Sequence, residues 1–127
     1  MLYKGKEVPF EMKDFACKCG KCGKGYMQME DELLDKLFEA RRLANVPFII
    51  NSAFRCVAHN TAVGGKPDSA HLRGYAVDIR YANSNQKFEM IAALIKVGFT
   101  RIGDNVTHSF IHVDCDPSLP QRVFFKY

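Results

Sequence analysis

Between Met29 and Asn45 apolar side chains recur at three- and four-residue steps: Leu33, Leu34, Leu37, Phe38 and Ala44, with Arg41 in the same stripe. That period predicts a helix. Glu30, Asp31 and Glu32 fall in its first turn and Arg41 and Arg42 near its end, which suits the helix dipole. Pro47 follows, and Phe48-Ile49-Ile50 reads as a short buried strand. A second amphipathic helix is predicted over residues 84–97, with Ser84 as N-cap, Phe88, Ile91, Ala92 and Ile95 as its apolar stripe, and Gly98 as its stop.

Elsewhere the period is two. In Ala76–Tyr81, Val77 and Ile79 face one way and Asp78 the other. In Phe110–Cys115, Phe110, His112 and Asp114 share one face while Ile111, Val113 and Cys115 share the opposite one. Phe99–Ile102 predicts a further strand that turns at Gly103-Asp104-Asn105, and residues 122–125 a last one after the Asp116–Pro120 turn. Residues 8–16 alternate loosely, as an extended segment would. Residues 51–68 read as a loop, because Gly64, Gly65 and Pro67 stop regular structure and bend the chain back towards Ser69. Strands and two main helices, with no repeat or linker, predict one domain over residues 1–127.

Composition adds bounds rather than detail. A chain of 127 residues with 47% hydrophobic side chains can bury an adequate core without a disulfide scaffold. The net charge of +4 fits attraction to an anionic polymer, but no aromatic-basic pattern points to nucleic acid, so none is expected as partner. The first residues, Met1 to Pro9, carry no apolar run of the secretory kind, and no stretch has the length and apolarity of a membrane span. The expectation is therefore synthesis in the cytoplasm without a signal peptide, no membrane contact, and a monomer. Three of the five cysteines crowd into Cys17-Lys18-Cys19-Gly20-Lys21-Cys22-Gly23. In a reducing compartment they read as thiols or metal ligands rather than disulfides. The segment resembles half of a zinc knuckle, whose fourth ligand would have to come from Cys56, Cys115 or a histidine. A turn with buried thiols is the blander reading and the one preferred.

The chemistry gathers between Ser69 and Asp78. His71 and Asp78 stand seven positions apart with Gly74 between them, and His112 supplies a third donor if its strand pairs beside Ala76–Tyr81. Two imidazoles and one carboxylate suit a single catalytic zinc, which keeps its fourth position for water. His71 and Asp78 have an ordinary reading too, as a satisfied polar residue and a turn bridge. Against it, an unpaired carboxylate on an apolar strand is costly and calls for a cation or strong donors. Arg55 reads either as surface charge or as a planar fork for a substrate carboxylate or carbonyl.

The combination Ser69-x-His71-x-x-Gly74-x-Ala76-x-Asp78, followed by Ile111-His112-x-Asp114, resembles the zinc peptidases of the bacterial cell wall. That family includes D-alanyl-D-alanine carboxypeptidases and phage L-alanyl-D-glutamate endolysins. Ser52-x-Phe54-Arg55, Asn60, Gly64-Gly65, the cysteine-glycine segment and Arg101-Ile102-Gly103 extend the likeness over about residues 15–127, most closely to small phage-type members. The resemblance implies a small α+β fold with a central antiparallel sheet, and His71, Asp78 and His112 as zinc ligands. It implies Arg55 and Ser69 at the substrate, Ser69 beside the ligands. It further implies hydrolysis of a peptide bond in peptidoglycan stem peptides, as a phage or prophage lysis enzyme reaching the wall after release. One departure stands out: the catalytic carboxylate of many members lies three residues before the second histidine, where this chain has Ser109. Asp114 is the first substitute for the base and His108 the second; Asp114 has an alternative role in orienting His112. The missing carboxylate also favours a second reading, a catalytically silent, metal-retaining domain that binds cell wall or a protein.

Overall fold

The computed structural model describes residues 1–127. A short hairpin, β1 (Leu2–Tyr3) and β2 (Lys6–Glu7), precedes single 3-10 turns at Met12–Phe15 and Tyr26–Gln28. Helix α1 (Asp31–Ala44) leads to β3 (Ile49–Ser52), α2 (Val57–Ala62), a 3-10 turn at Ala70–Arg73 and β4 (Ala76–Arg80). Then come α3 (Ser84–Lys96), β5 (Arg101–Asn105), β6 (Phe110–Asp114) and β7 (Val123–Lys126). The fold is α+β, with one main sheet in the order β3-β4-β6-β5-β7. No helix is long and apolar enough to cross a membrane.

The sheet is mixed, not purely antiparallel as expected. Strands β3, β4, β6 and β5 pair antiparallel, but β7 runs parallel to β5. The cause is the connection after β6: residues 115–122 carry the chain past β5 to its outer edge. A strand that reverses direction from β6 must there run alongside β5.

Register gives the sheet two unlike faces. Val77 pairs with Val113, Ile79 with Ile111, and Ile102 with Val113. These side chains join Leu33 and Leu37 of α1 and Met90 and Leu94 of α3 in one core of 25 buried residues. Helices α1 and α3 lie against each other over this face. On the other face a single row crosses all five strands: Ser52, Asp78, His112, Gly103 and Phe125 are successive register partners. Beside it runs a second row of Ala76, Asp114, Arg101 and Val123. The alternation that hides valine and isoleucine on one face delivers the chemistry to the other.

Four local expectations are corrected. The buried stripe of α3 is Met90, Ala93 and Leu94, while Phe88 is 68% and Ile95 55% exposed. The two stripes share a spacing and differ by a two-residue offset, so period alone could not choose between them. The α3 N-cap is Asn83, whose side chain accepts from the Gln86 N–H, not Ser84. Gly103 is no turn: β5 continues through Asn105, and the hairpin reverses at residues 106–109. A Cβ at Gly103 would sit 2.4 Å from the Phe125 ring, so glycine there makes room for an aromatic side chain. The loop expected after β3 also holds the six-residue α2, capped by the Cys56 sulfur accepting from the His59 N–H.

Candidate metal centre

His71 arrives on the 3-10 turn Ala70–Arg73, and both ends of that turn are specified. At the start, Ser69 Oγ accepts from the His71 N–H at 3.3 Å. At the end, Gly74 takes a left-handed φ of 75°, and a Cβ there would lie 2.0 Å from the carbonyl oxygen of Gln28. The Arg55 N–H donates to the His71 carbonyl, tying the turn to the end of β3. The imidazole Nδ1 lies 2.6 Å from the carbonyl oxygen of Ala53, which can only accept, so Nδ1 carries the hydrogen. Nε2 is then the nitrogen turned to Asp78 Oδ1, at 3.3 Å, and would offer its lone pair to a cation placed between them.

His112 repeats this logic with the nitrogens exchanged. Its Nε2 lies 2.7 Å from Asp114 Oδ2, and that oxygen also accepts from Arg101 Nε at 3.1 Å. An arginine-paired carboxylate is an acceptor only, so Nε2 carries the hydrogen and Nδ1 is left to face Asp78 Oδ1 at 2.9 Å. Asp114 is fully buried and takes a third bond, from the Asp116 N–H. Both rings thus have one nitrogen bound to a fixed acceptor and the other turned to the same carboxylate oxygen. Such backing by a carbonyl or carboxylate is what orients imidazole ligands of metals.

Asp78 is only 5% exposed, flanked by His71 at 2% and His112 at 8%. Its second oxygen accepts from Arg55 Nη2 at 3.3 Å. Burial works against ionisation of Asp78, but the charge of His71 and hydrogen bonds from His112 and His71 outweigh it and hold the carboxyl well below the usual range. Burial likewise opposes charge on His112; hydrogen bonds to Asp114 and Asp78 overcome it and bring the pKa up to about 9. The pocket between the three side chains favours positive charge. His71, Asp78 and His112 offer one ligand atom each, all within 4.8 Å of one another, so the donor set fits a divalent cation that takes nitrogen and oxygen ligands.

The other expected residues fall around this core. Arg55 donates to Ser52 Oγ, Asn60 Oδ1 and Asp78 Oδ2, which engages three of its five N–H groups. Ser69 touches the backbone of His71. His108 lies in the exposed β5–β6 turn, its N–H bound to Asn105 Oδ1 and its ring without a protein partner. Ser109 follows in the same turn with a left-handed φ of 55°. Sequence reasoning missed the Ala53 carbonyl, Arg101 and Phe125. The Phe125 ring packs 5.9 Å from that of His112, with the Arg101 guanidinium 5.1 Å from its centroid. Arg101 had a signal, standing beside Asp114 once β5 pairs with β6; a backbone carbonyl has none.

Among curated proteins none matches the chain. A family model described as Peptidase M15 matches residues 8–114, a span that takes in Arg55, His71, Asp78, His112 and Asp114. By this match over most of its length, the chain belongs to the peptidase M15 family.

Proposed function

We propose that this chain is a zinc-dependent peptidase that hydrolyses a peptide bond in peptidoglycan stem peptides, either a D-alanine-containing bond or the L-alanyl-D-glutamate bond. One observation carries the reading: two imidazoles, each backed by a fixed acceptor, turn their other nitrogens to one oxygen of a buried carboxylate. His71 through Nε2, His112 through Nδ1 and Asp78 through Oδ1 would hold the ion. When bound, zinc lowers the pKa of water towards ~7 and polarises a carbonyl oxygen.

The protein's own groups do the rest. Asp114 orients His112 and offsets charge behind it; its engagement with Arg101 and full burial leave it unsuited to shuttle protons to solvent. Proton transfer then falls to His108, whose ring is free on the exposed turn leading into β6. Arg55 steadies Asp78 and keeps two N–H groups for a substrate carboxylate or carbonyl oxygen. The net charge of +4 suits an anionic wall polymer. A phage or prophage lysis role rests on the likeness to small phage-type members.

The test is incubation of purified peptidoglycan with the protein, with and without chelator, and identification of new amino termini by mass spectrometry. Released D-alanine and a freed D-glutamate amine distinguish the two bonds. No new termini at any metal loading would sink the peptidase reading, and bound zinc without turnover would favour the silent wall-binding domain.

A further inference from the structure

A second ligand cluster lies outside the site described above. The sulfurs of Cys17, Cys19, Cys22 and Cys56 all stand within 4.8 Å of one another. Cys56 comes from 34 positions beyond Cys22, brought in by the turn between β3 and α2; Cys115, the other cysteine weighed for this role, is not in the cluster. Cys17 is buried as a plain turn with buried thiols would have it, while Cys19, Cys22 and Cys56 are half-buried and converge on it.

We propose that Cys17, Cys19, Cys22 and Cys56 form a closed, structural tetrathiolate zinc site. Four sulfur donors with no open position are the ligand set of structural zinc. The backbone is arranged for thiolates rather than thiols. Cys19 Sγ accepts from the N–H groups of Lys21 and Cys22, both at 3.3 Å. Cys22 Sγ accepts from Lys24 N–H at 3.4 Å, Cys17 Sγ from Cys56 N–H at 3.3 Å, and Cys56 Sγ from His59 N–H at 3.4 Å. Every sulfur of the cluster thus receives at least one N–H, the bonding that steadies negative sulfur around a metal. Gly20 and Gly23 take left-handed φ values of 69°, which curl the chain around Cys19 and Cys22 so that amides point back at sulfur. Lys18, Lys21 and Lys24 surround the segment and offset the charge of the complex.

Binding balances as four thiols plus one zinc ion giving a dianionic tetrathiolate and four protons released to solvent; no oxidant or reductant is involved. The site would clamp the N-terminal segment to the residue that follows Arg55. Its role is to hold the Arg55 loop in place, and it stands independently of the peptidase reading.

The test uses the full chain, purified with reductant, and a count of bound zinc. Two ions per chain are expected for the unmodified protein and one for His71→Ala. Cobalt loaded in place of zinc should show the intense near-ultraviolet thiolate-to-metal charge-transfer band, retained in His71→Ala and lost or sharply reduced in Cys22→Ser. If Cys22→Ser fails to fold, the His71→Ala spectrum alone decides. The proposal is overturned by absence of that band in both proteins, by disulfides among these cysteines in the reduced preparation, or by a red iron–thiolate chromophore in place of zinc.

Discussion

Asp114→Asn separates the two roles open to Asp114. The substitution keeps the side chain's size and can leave a carbonyl oxygen near His112 Nε2, now 2.7 Å from the carboxylate. Ring orientation therefore survives, while the negative charge behind the imidazole disappears. Loss of such a backing carboxylate lowers metal affinity by about 10–100-fold, or roughly 1.4–2.7 kcal/mol. The hydrogen bond to Asp114 is the foremost influence raising the His112 pKa to about 9, so that pKa should fall back towards the ordinary 6.5. The assay is a competition titration of cobalt against a chromophoric chelator, read at the chelator's own absorbance after the cysteine cluster is filled with zinc, with a thermal melt to establish that the variant folds. Cobalt affinity within about twofold of the unmodified protein, together with turnover lowered on the order of 10³-fold, would refute the reasoning and make Asp114 the proton carrier.

Other outcomes follow from the same geometry. His108→Ala should leave metal content unchanged and lower kcat by roughly 10²–10⁴-fold; an unaltered kcat removes His108 from the mechanism. Gly74→Ala forces a left-handed backbone onto alanine and a Cβ against the Gln28 carbonyl, so stability should drop by about 2 kcal/mol or more in urea unfolding. An unchanged midpoint would contradict the close approach. In chelator-treated protein the folded pKa of His112, about 9, exceeds its ordinary 6.5, so its stabilisation is complete below 6.5 and is lost as pH rises through 9. The gap in unfolding free energy between the unmodified protein and His112→Gln should shrink by on the order of 3 kcal/mol across that window, and a constant gap would count against it. Arg55→Lys removes a planar fork that spans Ser52, Asn60 and Asp78, so kcat/KM should fall by an order of magnitude or more at constant metal content; wild-type rates would make Arg55 a surface charge.

The meeting of Asp78 and His112 was legible because strand alternation is a local code. Val77 and Ile79 announce which side of β4 is buried in the core, and that places Asp78 opposite; the same reasoning places His112 and Asp114 together on β6. Pairing then puts Asp78 and His112 directly across from each other. What escaped the sequence depends on space rather than period. Gly103 has the composition of a turn, and only the Phe125 ring arriving from β7 explains it as a strand residue. The parallel placement of β7 reflects a path around β5 that no local pattern records. Two apolar stripes of equal spacing compete on α3, and tertiary packing against α1 selects Met90, Ala93 and Leu94. The role of Asp114 turns on which nitrogen of His112 faces which oxygen, a distinction finer than any residue spacing. Cys56 is separated from Cys17 by a helix and a strand, so its place in the thiol cluster emerges only from the fold.

The central claim is that one face of the sheet holds a catalytic metal through three specified atoms. A zinc-loaded crystal measured on both sides of the zinc absorption edge tests it most directly. The account predicts an anomalous peak bounded by His71 Nε2, Asp78 Oδ1 and His112 Nδ1, with His71 Nδ1 still on the Ala53 carbonyl and His112 Nε2 still on Asp114. No peak between these side chains, or a peak reached through the opposite nitrogens, would contradict it.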